Sequence, residues 1–152
     1  MTDGMSAPER DALWRKVLSL PSYAGATGFL GWELIDLDVE RGICEVHFHG
    51  REEMMNPGGN MQGGFITAML DDAMSVAACI VQPVYGMAPT LQMTTNFLRP
   101  VPMEKLRARG EVVRAGRSAV HTKGELFNME GKLLATGVAA CMPRPVPLPA
   151  GL

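Results

Sequence analysis

Apolar positions along this 152-residue chain repeat first at a helical period, then at a period of two. They next run together, and finally return to a period of two. Ser6-Ala7-Pro8-Glu9 reads as a capping box with Pro in the first turn, opening a helix that runs to about Leu20. Leu13, Val17 and Leu20 form its apolar stripe, with Trp14 and Leu18 beside it. Two strands follow. In 32–40, Leu34, Asp36, Asp38 and Glu40 alternate with Ile35, Leu37 and Val39; in 42–49, Cys44, Val46 and Phe48 alternate with Glu45, His47 and His49. From Gly63 to Val81 only Thr67, Asp71, Asp72 and Ser75 are polar, which describes a helix buried on most of its faces. After Pro83 the pattern predicts strands near 88–98, 104–115, 117–128 and 131–142, with hairpin turns at Arg114-Ala115-Gly116-Arg117 and Asn128-Met129-Glu130-Gly131. The tail Pro143-Arg144-Pro145-Val146-Pro147-Leu148-Pro149 is expected to be irregular or polyproline II and not to extend a ladder. This order predicts an α+β fold in which a curved antiparallel sheet wraps one long helix.

An apolar share of 47% with 20% charged residues is that of a globular chain, and the length predicts one domain over 1–152. Residues 1–24 would be an N-terminal helical extension and 143–152 the tail. Cys44, Cys79 and Cys141 are odd in number and set among apolar neighbours, as reduced core thiols of a cytoplasmic protein are. Met1-Thr2-Asp3-Gly4 lacks a signal-peptide pattern, and Asp71-Asp72 interrupts the one long apolar run, so no membrane span is expected. The net charge of −2 hides an asymmetry: 1–98 carry five Lys/Arg against twelve Asp/Glu, and 99–152 carry nine against four. A basic second part suits an anionic ligand. With 6% aromatics and no basic excess, nucleic acid is not an expected partner.

The chemistry concentrates in Asn56-Pro57-Gly58-Gly59-Asn60-Met61-Gln62-Gly63-Gly64 and the helix it opens. Carboxylates in an apolar helix are costly unless paired or reached by water, and are usually kept for a reason. Asp71 and Asp72 point about 100° apart on a helix and are expected to differ in role. Gly63 and Gly64 stand at the helix N-terminus, where free N–H groups favour negative charge. His47 and His49 share a strand face but lack further ligands, so no metal is expected, and no cofactor.

The spacing Asn56, Gly59, Gly63-Gly64, with Asp71 seven residues beyond Gly64, resembles that of hotdog-fold acyl-CoA thioesterases of the PaaI-like (phenylacetyl-CoA) group. The segment Thr90 to Pro100, ending Phe97-Leu98-Arg99-Pro100, resembles the strand that follows in that family, and the likeness covers roughly 25–142. Gln62 stands where the family has a His before Gly-Gly, a departure that removes a titratable group.

The resemblance implies an acyl-CoA thioesterase acting as a homo-oligomer, a dimer or dimer of dimers, with the active site between subunits. Gly63 and Asn56 would come from one subunit and Asp71 with Thr90 from the other. Asp71 is the expected base or nucleophile, Gly63 N–H the oxyanion donor, Asn56 a partner of the water or carboxylate, and Gln62 an amide donor to the thioester. Thr90 falls near the catalytic water once a one-residue insertion is allowed. Gly64, Arg99, Arg117 and Ser118 are the substrate-binding candidates, with Arg114 and Lys123 further candidates for the coenzyme A phosphates. Two rival functions are a hotdog hydratase or dehydratase, for which no His lies in the motif, and a non-catalytic acyl-CoA-binding module, against which Asp71 argues.

Overall fold

The computed structural model describes residues 4–20, 25–150 and 152. The readings made on Met1–Asp3 and on the junction at 21–24 lie outside them. The elements run α1 (Ala7–Leu18), α2 (Gly25–Phe29), β1 (Glu33–Asp38), β2 (Ile43–His49), a 3₁₀ turn (Glu52–Met54), α3 (Gly63–Ile80), β3 (Gly86–Met87), β4 (Thr90–Phe97), β5 (Lys105–Ala115), β6 (Val120–Asn128), β7 (Leu133–Cys141) and β8 (Arg144–Pro145). Six strands form an antiparallel sheet in the order β1-β2-β5-β6-β7-β4. α3 packs on one face of it, chiefly against β5, β6 and β7. This is the hotdog arrangement that the α+β reading anticipates.

The closeness of helix and sheet is built by glycine. Gly110, Gly124 and Gly137 are in register across β5, β6 and β7, directly beneath α3. A Cβ at Gly110 would strike the Ala73 carbonyl, one at Gly124 would stand 2.9 Å from the Met74 side chain, and one at Gly137 3.2 Å from its methyl. With the row left bare, Met69, Leu70, Ala73, Met74, Ala77 and Ile80 are sealed against the sheet. α3 is long and apolar enough to cross a membrane by length and composition, yet more than half of it is buried within the fold.

Several elements depart from the sequence pattern. In α1 the buried residues are Trp14, Val17 and Leu18, not the Leu13/Val17/Leu20 stripe, because Leu20 lies past the helix end and Trp14 turns inward onto Tyr85 at 5.1 Å between ring centroids. The α1 start is as expected: Glu9 accepts from the Ser6 N–H at 2.8 Å and from its hydroxyl at 2.6 Å. In β1 the register shifts between Leu34 and Asp36, so Leu34 packs on the core, Ile35 is left exposed and the alternation resumes at Leu37. The β5–β6 turn lies at Gly116–Ala119, closed by Gly116 N–H to Ala119 O at 2.9 Å, which leaves Arg114 inside β5 opposite His121. The tail is not wholly irregular. Arg144–Pro145 pair with Gly86–Met87, and Val146 N–H reaches Tyr85 O at 3.4 Å. A two-residue edge strand needs few N–H donors, so the prolines are tolerated there.

Candidate active site

The Gly-rich segment before α3 is an Asx turn. Asn56 Oδ1 accepts from Gly58 N–H at 2.9 Å and Asn60 N–H at 3.2 Å, and Gly59 takes φ 79°. The turn leaves Asn56 Nδ2 without an acceptor among the described residues. Two backbone bonds, Met61 N–H to Val101 O at 2.7 Å and Gln62 N–H to Met54 O at 2.8 Å, then aim the chain into α3. Gln62 is the N-cap, its Oε1 accepting from Gly64 N–H at 2.6 Å. Gln62 therefore closes one of the free donors at this terminus and keeps its Nε2 available, while Gly63 N–H has no acceptor among the described residues. The Phe97 ring lies over Gly63, where a Cβ would be 3.1 Å from the ring edge.

Thr67, Asp71 and Ser75 repeat every four residues and turn one polar stripe of α3 toward β4. Thr67 bonds Thr95 at 3.2 Å. Thr90 donates to Asp71 Oδ1 at 2.6 Å, and Ser75 is 3.4 Å from the same oxygen and 3.3 Å from the Thr90 hydroxyl. Ser75 thus bonds the carboxylate and not its own helix backbone, the commoner habit of a buried hydroxyl. Thr90 precedes a β-bulge: the β4–β7 register shifts between Thr90 and Gln92, with Leu91 exposed.

Two cavities divide these groups. One, of about 500 Å³, is lined by Asn56, Gly63, Ile66, Phe97, Arg99 and Val101 among others. The second, of about 380 Å³, is lined by Thr27, Asp71, Asp72, Ser75, Cys79 and Thr90, with Met87, Ala88 and Pro89 at one side. Gly63 and Asp71 are eight residues apart on α3, about 12 Å along its axis, so one chain does not bring both to one small group.

Asp72, expected to differ in role from Asp71, lines the same cavity. Its Oδ2 is buried without a hydrogen-bond partner. Burial raises its pKa from 3.8 to about 6; the Thr27 hydroxyl opposes that shift and the Asp71 charge adds to it. Thr27 carried no signal in the sequence, because the short α2 that presents it has no apolar period. Burial disfavours the thiolate of each cysteine: it pushes Cys79 up to about 12 and raises Cys44 and Cys141 as well.

The basic candidates scatter. Arg99 borders the first cavity and donates from Nη1 to Leu133 O at 2.6 Å. Arg117 lines a hollow of about 170 Å³ with Arg144 and Met87, and Ser118 is exposed in the turn beside it, bordering neither of the two cavities above. Arg114 is exposed on β5, and Lys123 pairs with Glu111 at 3.5 Å. Gly64, its N–H closed by Gln62, is exposed at the helix start. His47 and His49 both face Glu33, at 3.8 and 3.3 Å.

The thioesterase superfamily model matches residues 58–135, from the Gly-rich turn to β7. The phenylacetic acid degradation-related protein of Ralstonia eutropha JMP134 is 33% identical, with TM-score 0.76, over 86% of this chain and 98% of its own. The E. coli PaaI protein of the phenylacetic acid degradation operon aligns with TM-score 0.77 at 21% identity, over 91% and 96% of the two chains. The smu.793 protein of Streptococcus mutans UA159, solved bound to acetyl CoA, aligns with TM-score 0.68 at 19% identity, over 75% and 89%. The chain belongs to the thioesterase superfamily, as a PaaI-like thioester hydrolase of hotdog fold.

Proposed function

We propose that this chain hydrolyses acyl-CoA thioesters at a site shared by two copies, with Asp71 of one copy as base or nucleophile and Gly63 N–H of the other as oxyanion donor. The observation that carries the reading is the division just described. A carboxylate held by Thr90 and Ser75 lines one cavity, and a free helix-terminal N–H with Asn56 and Arg99 lines another, about 12 Å away on the same helix. A thioester carbonyl under attack needs both groups within about 3 Å. A second copy, related by a two-fold axis, supplies the missing half at each end. β4 is suited to the join, being a sheet edge that among the described residues pairs only with β7 and leaves Leu91, Phe97 and Leu98 exposed. A dimer results, and pairing of dimers gives the tetramer.

In the general-base route Asp71 takes a proton from water, the hydroxide adds to the thioester carbon, and the oxyanion rests on Gly63 N–H. Collapse expels the coenzyme A thiolate, which needs little acid assistance because its pKa is near 8.5. In the covalent route Asp71 attacks first and water cleaves the mixed anhydride. Asn56 Nδ2 and Gln62 Nε2 are amide donors on the carbonyl side. The acyl chain fills the Asp71 cavity, and Arg99, beside the other, is placed for a coenzyme A phosphate. Arg117 and Ser118 stand farther out and serve only the nucleotide end. The acetyl-CoA-bound Streptococcus mutans neighbour supports coenzyme A as the carrier, and reduced buried cysteines fit the cytoplasm.

The test is release of free thiol from a panel of acyl-CoAs. Wild type should turn over at least one of them, and Asp71→Ala should lower kcat by at least about a hundredfold while the fold is kept. Binding without thiol release would instead indicate an acyl-CoA-binding module, and water addition to an enoyl-CoA without thiol release a hydratase.

A further inference from the structure

Simple alternation along β4 would not turn a hydroxyl onto Asp71. Met93 packs on the core, so a regular strand counted back from it turns Leu91 inward and Thr90 to the outer face. The bulge between Thr90 and Gln92 reverses that phase: Leu91 is exposed, and Thr90 lies opposite Cys141, the last residue of β7. The end of β7 also fixes the backbone beside it, through Met142 N–H to Pro89 O at 2.9 Å. Thr90 Oγ1 then stands 2.6 Å from Asp71 Oδ1 and 3.8 Å from Cys141 Sγ. A hydroxyl has one proton, and here it goes to the carboxylate, so the Cys141 S–H is the donor of the second pair. Val120 is opposite Cys141 on its other side, and both are wholly buried, so packing holds the sulfur against Thr90.

We propose that Cys141 is a positioning residue for the hydrolysis: it keeps the Thr90 side chain in the rotamer that presents Oγ1, and not the methyl, to Asp71. The inference rests on the reading of Asp71 as base or nucleophile. The hydroxyl and methyl of a threonine exchange places by a step of about 120° in χ1, so something beyond the strand must choose between them. Between the carboxylate and the sulfur, Oγ1 has a polar partner on both sides, and a methyl in its place would have none. Without the sulfur the choice weakens, and the hydroxyl leaves Asp71 for part of the time. Cys141 does not border the cavity and touches no substrate; it acts through Thr90 alone. The role uses the neutral thiol, which is the form that burial favours. Because Cys141 is enclosed within one chain, a second copy that completes the site leaves its surroundings as they are.

The experiment uses the acyl-CoA of the panel that wild type turns over fastest. Thiol release is measured for Cys141→Ser, Cys141→Ala and Cys141→Val, each alone and combined with Thr90→Val, which replaces the hydroxyl by a methyl. Cys141→Ala and Cys141→Val should lower kcat about three- to tenfold with KM little changed. Cys141→Ser still donates and should stay within about twofold of wild type. In the Thr90→Val background neither Cys141→Ala nor Cys141→Val should lower kcat further, because no hydroxyl is left to orient. A residue that only fills the core would instead show the same loss in both backgrounds, with no advantage for serine. Where Thr90→Val is too slow to measure, the comparison of Cys141→Ser with Cys141→Ala decides alone. Equal losses in the two backgrounds, a Cys141→Ser as slow as Cys141→Ala, or a Cys141→Ala with wild-type kcat overturns the inference and leaves the thioesterase reading intact. A wild type that releases thiol from none of the panel overturns both.

Discussion

Asp71 and Asp72 are adjacent in sequence and opposite in circumstance. Asp71 has two hydroxyls on one oxygen; Asp72 has an oxygen with none. A carboxyl whose pKa rises on folding contributes most stability where it is protonated in both states, below 3.8, and loses it as pH rises through about 6. Asp72→Asn removes that loss. Its melting temperature should match wild type near pH 3.5 and exceed it at pH 8, by an amount equivalent to roughly 3 kcal/mol at most. Thermal melts across pH 3.5–8 check this, and equal curves at pH 8 would show that Asp72 is satisfied after all. Gln62 carries two duties on one amide, with Oε1 capping α3 and Nε2 left free. Gln62→Ala should cost about 1 kcal/mol of stability from the lost cap and lower turnover besides. Gln62→His keeps a donor and should change turnover less than about tenfold, as thiol-release kinetics would show. A Gln62→Ala variant with unchanged rate and KM would reduce Gln62 to the cap alone.

At the scale of the element, the N-terminus of α3 permits a substitution that tests one atom. Gly63 is the first residue of the helix, where proline is tolerated, and Gln62 before it already holds φ −67°, ψ 137°, the extended conformation a following proline demands. Gly63→Pro therefore removes the proposed oxyanion donor with little harm to the helix, requiring only that the exposed Phe97 ring yield. It should lower kcat by about a hundred- to a thousandfold, the loss known for one oxyanion donor. Gly63→Ala keeps the N–H and should lower it far less; steady-state kinetics with matched circular dichroism separate the two. The same helix shows how much was legible in the sequence. Its limits, its burial and the Asn56–Gly63–Asp71 spacing follow from periodicity and motif, because an apolar run leaves few alternatives. Cys44, Val46 and Phe48 were equally legible, since β2 is regular and lies between β1 and β5. Ile35 was not, because a bulge at that point is a property of the pairing with β2 and not of β1. Nor was the β3–β8 pair, where Met87 and Arg144 meet across 57 residues with no periodic signal in either partner. Nor was the shared cavity of Asp71 and Asp72: helical geometry separates the two side chains, but Gly25 and Thr27 of α2 line one cavity with both.

For the whole molecule, the decisive quantity is the separation of Gly63 from Asp71 within a chain. If each site takes one group from each copy, a dimer of an Asp71→Ala chain with a Gly63→Pro chain has one site carrying both defects and one carrying neither. Each homodimer is defective at both sites, so purified Asp71→Ala and purified Gly63→Pro should each be nearly inactive. Refolded or co-expressed as an equal mixture, half of the dimers are mixed and half of their sites are intact, which restores about a quarter of wild-type turnover. A site built within one chain predicts the contrary. Every subunit then carries one lesion, and mixing restores nothing, whatever the oligomeric state. The recovery should also fall on dilution below the dimer dissociation constant, together with the wild-type specific activity, because the intact site exists only in the pair. Thiol release from the mixed sample, read beside light scattering at the same concentrations, measures both effects. Complementation without a dimer in solution, or a dimer without complementation, would break the link between the exposed β4 edge and the chemistry at Asp71.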